Sequence, residues 1–421
     1  MAEGSTAWGF VCIIAIENPN PHEVTLRITF MTDSGPVTLE DIVLPAESHG
    51  YLDPESDLGE RDFSTKVECL EGDLIAVDRT MIWENMMWSS DPGPTLAMEG
   101  HSSIGVTGLD TTWYLPEGSS AWGFECWLLI QNPNDTEATC NVTYMVKGAG
   151  PYMVTKRVPA NSRRTYNMAN DIGNQDASIK VDSNIPVIPE RAMYRNNRRE
   201  GHESIGTTAP AKDYYLAEGT TAYGFTTYVL VQNPNPTPAN VQLVHMTPGG
   251  PVYPPAFSMP ANCRETVRVN DYLPDTDLST QVHADVPIIA ERAMYWDNGT
   301  GEACHDSIGM DSPHKKFYLP EGETDADPEL ETWTLVQNPN PNYVTVLVSY
   351  LPDVTSGGQK HEFTDTIPPN SRHTYKMSDI ISWGDAGIVV ESVSGGNIMV
   401  ERSMYWNHRE GGTNTIGGYS D

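Results

Sequence analysis

Pro287-Ile288-Ile289-Ala290-Glu291-Arg292-Ala293-Met294-Tyr295-Trp296 decides how this chain is read, because the chain repeats it. Related runs are Asp78-Arg79-Thr80-Met81-Ile82-Trp83, Glu190-Arg191-Ala192-Met193-Tyr194 and Glu401-Arg402-Ser403-Met404-Tyr405-Trp406. The four arginines are spaced by 112, 101 and 110 residues, the period of a tandem array of domain-sized units. Side chains of a strand alternate between its faces, so Ile288, Ala290, Arg292, Met294 and Trp296 share one face and Ile289, Glu291, Ala293 and Tyr295 the other. The arginine lies on the side of the Met and Trp, and a buried guanidinium requires an acidic partner. Its neighbouring acid points the opposite way. The predicted partners of Arg79, Arg191, Arg292 and Arg402 are therefore Glu3, Glu117, Glu218 and Glu321 of the recurring Pro/Ala-Glu-Gly stretch, one structural ion pair per repeat.

Around this strand the remaining pattern is also periodic. An apolar strand such as Trp8 to Ile16 ends in an Asn-Pro turn, at Asn18, Asn132, Asn233 and Asn338. The next strand alternates, with Leu26, Ile28 and Phe30 inward in the first repeat and Val346, Val348 and Tyr350 in the fourth. A Pro-x-x-Ser/Cys turn follows at Pro45, Pro159, Pro260 and Pro368, and each repeat closes on Ser/Thr-Ile-Gly at Gly105, Gly206, Gly309 and Gly417. Seven or eight short strands per repeat, without an amphipathic helix, predict an all-β chain of four tandem immunoglobulin-like antiparallel sandwiches. Their expected bounds are 1–109, 110–211, 212–313 and 314–421. Seven residues separate each closing Gly from the next aromatic strand (Trp113-Tyr114-Leu115, Tyr214-Tyr215-Leu216, Phe317-Tyr318-Leu319), a constant span that implies a fixed geometry between neighbours. The first repeat lacks that strand, which predicts an open edge able to accept a strand from another chain and so to polymerise head to tail.

Composition narrows the partners. A net charge of −32, from 57 acidic and 25 basic residues spread along the chain, repels phosphate and excludes nucleic acid and anionic membranes as partners. No apolar run reaches the length of a membrane span. The six cysteines fall in pairs, Cys12 with Cys69, Cys126 with Cys140 and Cys263 with Cys304, and an even count per repeat predicts intra-repeat disulfides and an oxidising compartment. No charged and then apolar leader precedes the repeats; Met1-Ala2-Glu3-Gly4 is already repeat sequence and reads as a processing boundary.

Residues present in every repeat are better explained by folding than by a single active site, and no nucleophile elbow, zinc-protease helix, phosphate loop or Cys-x-x-Cys pair occurs. The expectation is a protein that is not an enzyme. His101, His202 and His305 stand singly and read as turn or edge residues rather than metal ligands. Two features differ between repeats. Trp83, Met86, Met87 and Trp88 form an aromatic and Met-rich partner patch in the first. Asp325, Asp327 and Glu329 replace the aromatic turn Ala121-Trp122-Gly123 in the fourth, and are candidate calcium ligands.

Taken together, Tyr-Leu-x-Glu-Gly, aromatic-Gly-Phe, Gln-Asn-Pro-Asn, Val-Pro-Ala-Asn-Ser-Arg, Pro-Ile-Ile-Ala-Glu-Arg-x-Met-Tyr-Trp and His-x-Ser-Ile-Gly resemble the tandem immunoglobulin-like repeats of large secreted bacterial surface proteins. The first repeat departs most, with Asp78 for the Glu, Glu17 for the Gln and no opening aromatic strand. The resemblance implies an extracellular or cell-surface location and a structural or adhesive role. The expected function is a spacer, or a self-assembling filament or surface-layer subunit. The alternative is an array that binds carbohydrate at the cell surface through exposed Trp and Tyr, assisted by calcium.

Overall fold

The computed structural model describes residues 1–84, 98–297, 302–326, 329–355 and 358–421. The chain is built of antiparallel sheets, with helix confined to single turns such as Pro54–Leu58 and Ala169–Ile172. In the first repeat one sheet carries, in order, Ser48–Leu52, Phe10–Asn18, Ala76–Glu84 and Met98–Ile104. The other has Val24–Thr32 at its centre, paired with Gly35–Thr38 and Ile42–Leu44 on one side and Phe63–Cys69 on the other. The alternation read from the sequence is the alternation of burial. Leu26, Ile28 and Phe30 are buried, as are Val346, Val348 and Tyr350. Side chains of both sheets meet in one core, Ile14 and Ile16 of the first joining Leu26 and Ile28 of the second, and within the second sheet Phe30 and Phe63 stand edge to face at 5.1 Å.

The Asn of each Asn-Pro turn is an internal fastener. Asn132 is buried, and its Nδ2 donates to the carbonyls of Thr136, Val158 and Pro159 at 2.8, 3.0 and 2.9 Å while Oδ1 accepts from Asn134 N at 3.1 Å. Asn18, Asn233 and Asn338 repeat the arrangement, so this turn and the Pro-x-x-Ser/Cys turn are tied together in each repeat.

The repeats differ in one strand. In the second and third, Ala177–Arg195 and Ser279–Asp297 each run unbroken through both sheets. In the first and fourth the same path is broken into Phe63–Cys69 and Ala76–Glu84, and into Gly384–Ser394 and Met399–Trp406. Gly72 and Gly395, with φ of +82° and +107°, supply backbone angles at the breaks that other residues rarely adopt.

The closing strands organise the whole. Met98–Ile104 packs against Glu200–Ile205, that strand against Glu302–Ile308, that one against Gly411–Ile416, and Gly411–Ile416 returns to Met98–Ile104. The four repeats therefore close into a ring, with the closing strands around its axis.

Candidate functional site between repeats

Each Glu-Arg strand lies between two neighbours. Its Arg faces the following repeat and its acid faces the preceding one, so both of its faces are buried. Arg79, Arg191, Arg292 and Arg402 are among the largest fully buried side chains of the molecule.

The three seams that follow chain order share one plan. Between the first and second repeats, Arg79 Nη2 contacts Glu203, and lies 3.5 Å from Glu3 and 3.7 Å from Glu190. Nη1 donates to His101 Nδ1 at 3.0 Å, which leaves Nε2 to donate to the Tyr194 hydroxyl at 3.1 Å. Glu190 in turn accepts from the backbone N–H of Ala2 and of Glu3, both at 2.8 Å. Between the second and third, Arg191 contacts Asp306, Glu291 at 2.6 Å and Glu117 at 3.7 Å, with His202 on Nη1 at 2.9 Å. Between the third and fourth, Arg292 meets Glu401 at 2.8 Å, Asn414 Oδ1 at 2.5 Å and His305 at 3.0 Å.

The structure thus brings Arg79, Arg191 and Arg402 near the acids expected for them, and adds to each an acid of another repeat. Glu218 goes elsewhere: its carboxylate is 3.2 Å from Arg372 Nη1. The trans partners Glu190, Glu291 and Glu401 were visible in the sequence as the acid on the opposite face of the strand. Alternation gives the face and not the neighbour, so their role was not. The three histidines are buried members of the seams, not turn or edge residues.

Crowding carboxylates in a site that excludes water drives protons onto them. Burial pushes Glu3 up and Glu203 well above the ordinary carboxylate range, with the Arg79 charge opposing. Burial likewise raises Glu291 to about 8. Asp306 moves the other way, since His202 and Arg191 outweigh its burial. Burial, followed by the adjacent guanidinium, holds His101 well below its usual range. Ligand atoms of Glu3, His101 and Glu203, and of Glu117, His202 and Asp306, lie within 4.8 Å of one another. In both groups the guanidinium occupies the position a cation would take.

The seam where the fourth repeat meets the first is built from different residues. Arg402 Nη1 bonds Asp78 and Glu321, each at 3.0 Å, and Nη2 has no hydrogen-bond partner among the described residues. Thr413 stands where the other repeats carry His, and it donates to Ser102, which stands where they carry Glu203, Asp306 and Asn414. Arg163, Arg264 and Arg372 each donate to a glycine carbonyl of the preceding repeat, Gly4, Gly118 and Gly219; the first repeat has His49 at that position. Gln131, Gln232 and Gln337 each reach a Met sulfur and a carbonyl of the preceding repeat, while the first repeat has Glu17. Glu17 is buried with neither carboxylate oxygen hydrogen-bonded among the described residues, and burial pushes its pKa well above 4.5, with Lys316 and the nearby Leu319 backbone opposing. Burial lowers His49 to about 4 and raises Asp78 to about 7.

Other expected site residues are placed differently. All six cysteines are free, which corrects the disulfide expectation. Cys263 and Cys304 are on strands of one sheet separated by two others, at least about 14 Å apart, beyond bridging reach. Cys126 lies opposite Met193 and Cys140 opposite Ser183, ten residues apart on one strand, and Cys12 and Cys69 are in different sheets. Trp83 is not exposed. It is buried against the second repeat, donating to Arg198 O at 2.7 Å and packing edge to face on Tyr194 at 5.4 Å. Met86, Met87, Trp88 and Asp327 lie outside the described residues, as does the side chain of Glu329. Asp325 sits in a short antiparallel ladder opposite Leu330.

No protein-family model matches the chain, and no curated protein does. Among solved structures, Thermotoga maritima 1070 is 18% identical over 24% of this chain and 96% of its own, with a TM-score of 0.22. The Anabaena sensory rhodopsin transducer is 25% identical over 20% of this chain and 97% of its own, with a TM-score of 0.18. A tetra-tandem repeat in the extending region of a large adhesion protein is 12% identical, covering 96% of this chain and 93% of its own, with a TM-score of 0.11.

Proposed function

We propose that this protein is a structural, non-catalytic scaffold of an extracellular surface, in which four immunoglobulin-like sandwiches form a closed ring instead of an extended spacer. The observation that carries the reading is the return of the fourth repeat onto the first, through Arg402 with Asp78 and Thr413 with Ser102. The buried arginines that recur in every repeat are engaged in holding neighbours, the use a scaffold makes of them. A ring with buried ionic seams is stiff, and stiffness suits a part that sets the spacing of whatever it displays. Negative-stain electron microscopy, with and without calcium, tests this. A compact four-lobed particle is expected in both, and a string of four beads would overturn the closed-ring scaffold.

Self-assembly is the second reading, favoured by one groove. In the second to fourth repeats the opening strand buries Trp113, Tyr214 and Phe317, close over Gly206, Gly309 and Gly417. In the first repeat Gly105 faces Met1 and Val77, and a groove of about 430 Å³ runs past Thr65, Val67 and Val106. Beyond Phe63 and Thr65, which bond the backbone of Gly4 and Met1, the outer edge of Phe63–Cys69 carries no paired strand among the described residues. A strand of chain preceding Met1, or one from a second copy, would complete it. Light scattering across a concentration series distinguishes growing oligomers from a fixed mass.

A further inference from the structure

The turn Ala-Trp/Tyr-Gly-Phe carries its aromatic residue against both packing and backbone preference. Trp8, Trp122 and Tyr223 are 79%, 75% and 75% exposed. Their φ angles are +63°, +53° and +55°, each followed by a glycine near +84°. Phe10, Phe124 and Phe225 close the turns by donating to Ala7, Ala121 and Ala222 at 3.1, 3.0 and 3.0 Å. Positive φ at both central residues is the hairpin turn that favours Asn-Gly. A large aromatic there gains nothing from burial and sits in a backbone region that bulky side chains avoid.

The two indoles, Trp8 and Trp122, stand at the mouths of matched clefts, one on the seam between the first and second repeats and one between the second and third. Their volumes are about 400 and 430 Å³, within the range of ligand sites. Met81, Leu129 and Tyr194 form the apolar wall of the first, and Met193, Leu230 and Tyr295 that of the second. Each also contains an arginine paired with an aspartate, Arg163 with Asp62 at 3.4 Å and Arg264 with Asp176 at 3.1 Å. Hydroxyls complete each set, Ser5 and Thr165 in one and Ser119 and Thr266 in the other. The fourth repeat has an acidic strand, Glu323–Ala326, in place of the aromatic turn.

We propose that the Trp8 and Trp122 clefts are two equivalent binding sites for a neutral saccharide chain. A pyranose has an apolar face that stacks on an indole and a rim of hydroxyls that pair with guanidinium, carboxylate and hydroxyl groups. With Glu3 and Arg198 also lining the first cleft and Glu117 and Arg195 the second, each carries two arginines and two acids and has no excess charge to select an anion, and the net charge of −32 disfavours acidic glycans. Two sites on one rigid ring bind a polymer more tightly than either site binds a fragment. This inference requires the seams and not the extracellular assignment.

The test is calorimetric titration of the intact chain with cellohexaose, chitohexaose, xylohexaose and mannohexaose, alongside hexagalacturonate. Two sites per chain for at least one neutral hexasaccharide are the expected result. Trp8→Asn and Trp122→Asn each halve the stoichiometry, and the double variant binds at least tenfold more weakly. Because Asn suits the turn, the same variants keep or raise the thermal midpoint, a combination that loss of folding does not produce. Absence of binding to all four neutral sugars, preference for the acidic one, or undiminished binding by the double variant overturns the proposal. Capture of a peptide instead of a sugar, by the same two tryptophans, would overturn the ligand class.

Discussion

The three seams that follow chain order and the one that closes the ring perform the same task with different chemistry. Between the second and third repeats a guanidinium faces three carboxylates and a histidine, with a glutamine and an arginine clamping the flanks. Where the fourth repeat meets the first, the guanidinium faces two carboxylates, threonine replaces histidine, and the flanks carry Glu17 and His49. The linker peptide keeps the first kind of seam together at high local concentration; the closing seam must assemble across more than 300 residues of chain. Its weaker polar set makes it the place where the ring opens first.

Breaking the charge centres gives the largest effect. Arg191→Ala leaves three buried carboxylates without their cation, and a loss of about 3–5 kcal/mol is expected in chemical denaturation. Arg402→Ala should cost less, about 1–3 kcal/mol, because that guanidinium meets two carboxylates instead of three and its Nη2 has no hydrogen-bond partner among the described residues. Equal losses would abolish the distinction between the seams.

Glu17→Gln sharpens it from the other side. The change restores the residue the other repeats use and should stabilise the ring by about 1–3 kcal/mol, the cost of an unsatisfied buried polar group. The sign with pH follows from the raised pKa. Folding takes up a proton at Glu17, so its contribution is complete below about 4.5, its unfolded value, and is lost as pH rises toward the folded one. The benefit of Gln should accordingly be greater at about pH 7.5 than at about pH 5. A benefit independent of pH would mean that Glu17 is ionised in the folded ring.

A smaller effect comes from crowding. At Gly387 a Cβ would lie 3.2 Å from both Glu17 Cγ and His49 Cβ, and Gly387→Ala should cost about 1 kcal/mol at the closing seam. Gly108→Ala, with nothing within 4 Å, is the neutral control. Smallest of all is the effect of a reductant. With six free cysteines the thermal midpoint should not move, and a fall on adding dithiothreitol would restore the disulfides.

Much of this was readable from the chain itself. Alternation around Leu26 and Val346 gave strands and their buried faces, and the position of Arg292 beside Met294 and Trp296 gave a buried guanidinium. What alternation leaves open is the partner of the second face. Glu291 was seen to point away from Arg292, but the angle between repeats, which sends it to Arg191, is a property of packing between units about 100 residues apart. The closing seam is equally hidden, although Glu17 and Asp78 depart from the repeated pattern. Even cysteine counts misled because Cys126 and Cys140 face different strand partners. For Trp122 a signal existed: tryptophan before glycine, where a hairpin prefers asparagine.

The unbroken strands Ala177–Arg195 and Ser279–Asp297 have a consequence for how the molecule comes apart. A strand shared by two sheets makes them melt as one unit; the path is interrupted in the first repeat, whose two sheets share no strand, and in the fourth, where the short Glu323–Ala326 bridges them, so these sheets fray more readily. The two interrupted repeats are the ones that meet at the closing seam. Amide exchange should therefore spread from that seam in both directions around the circle and reach the second and third repeats last. The ring has a fixed place of entry and a protected far side, although its four parts repeat one pattern.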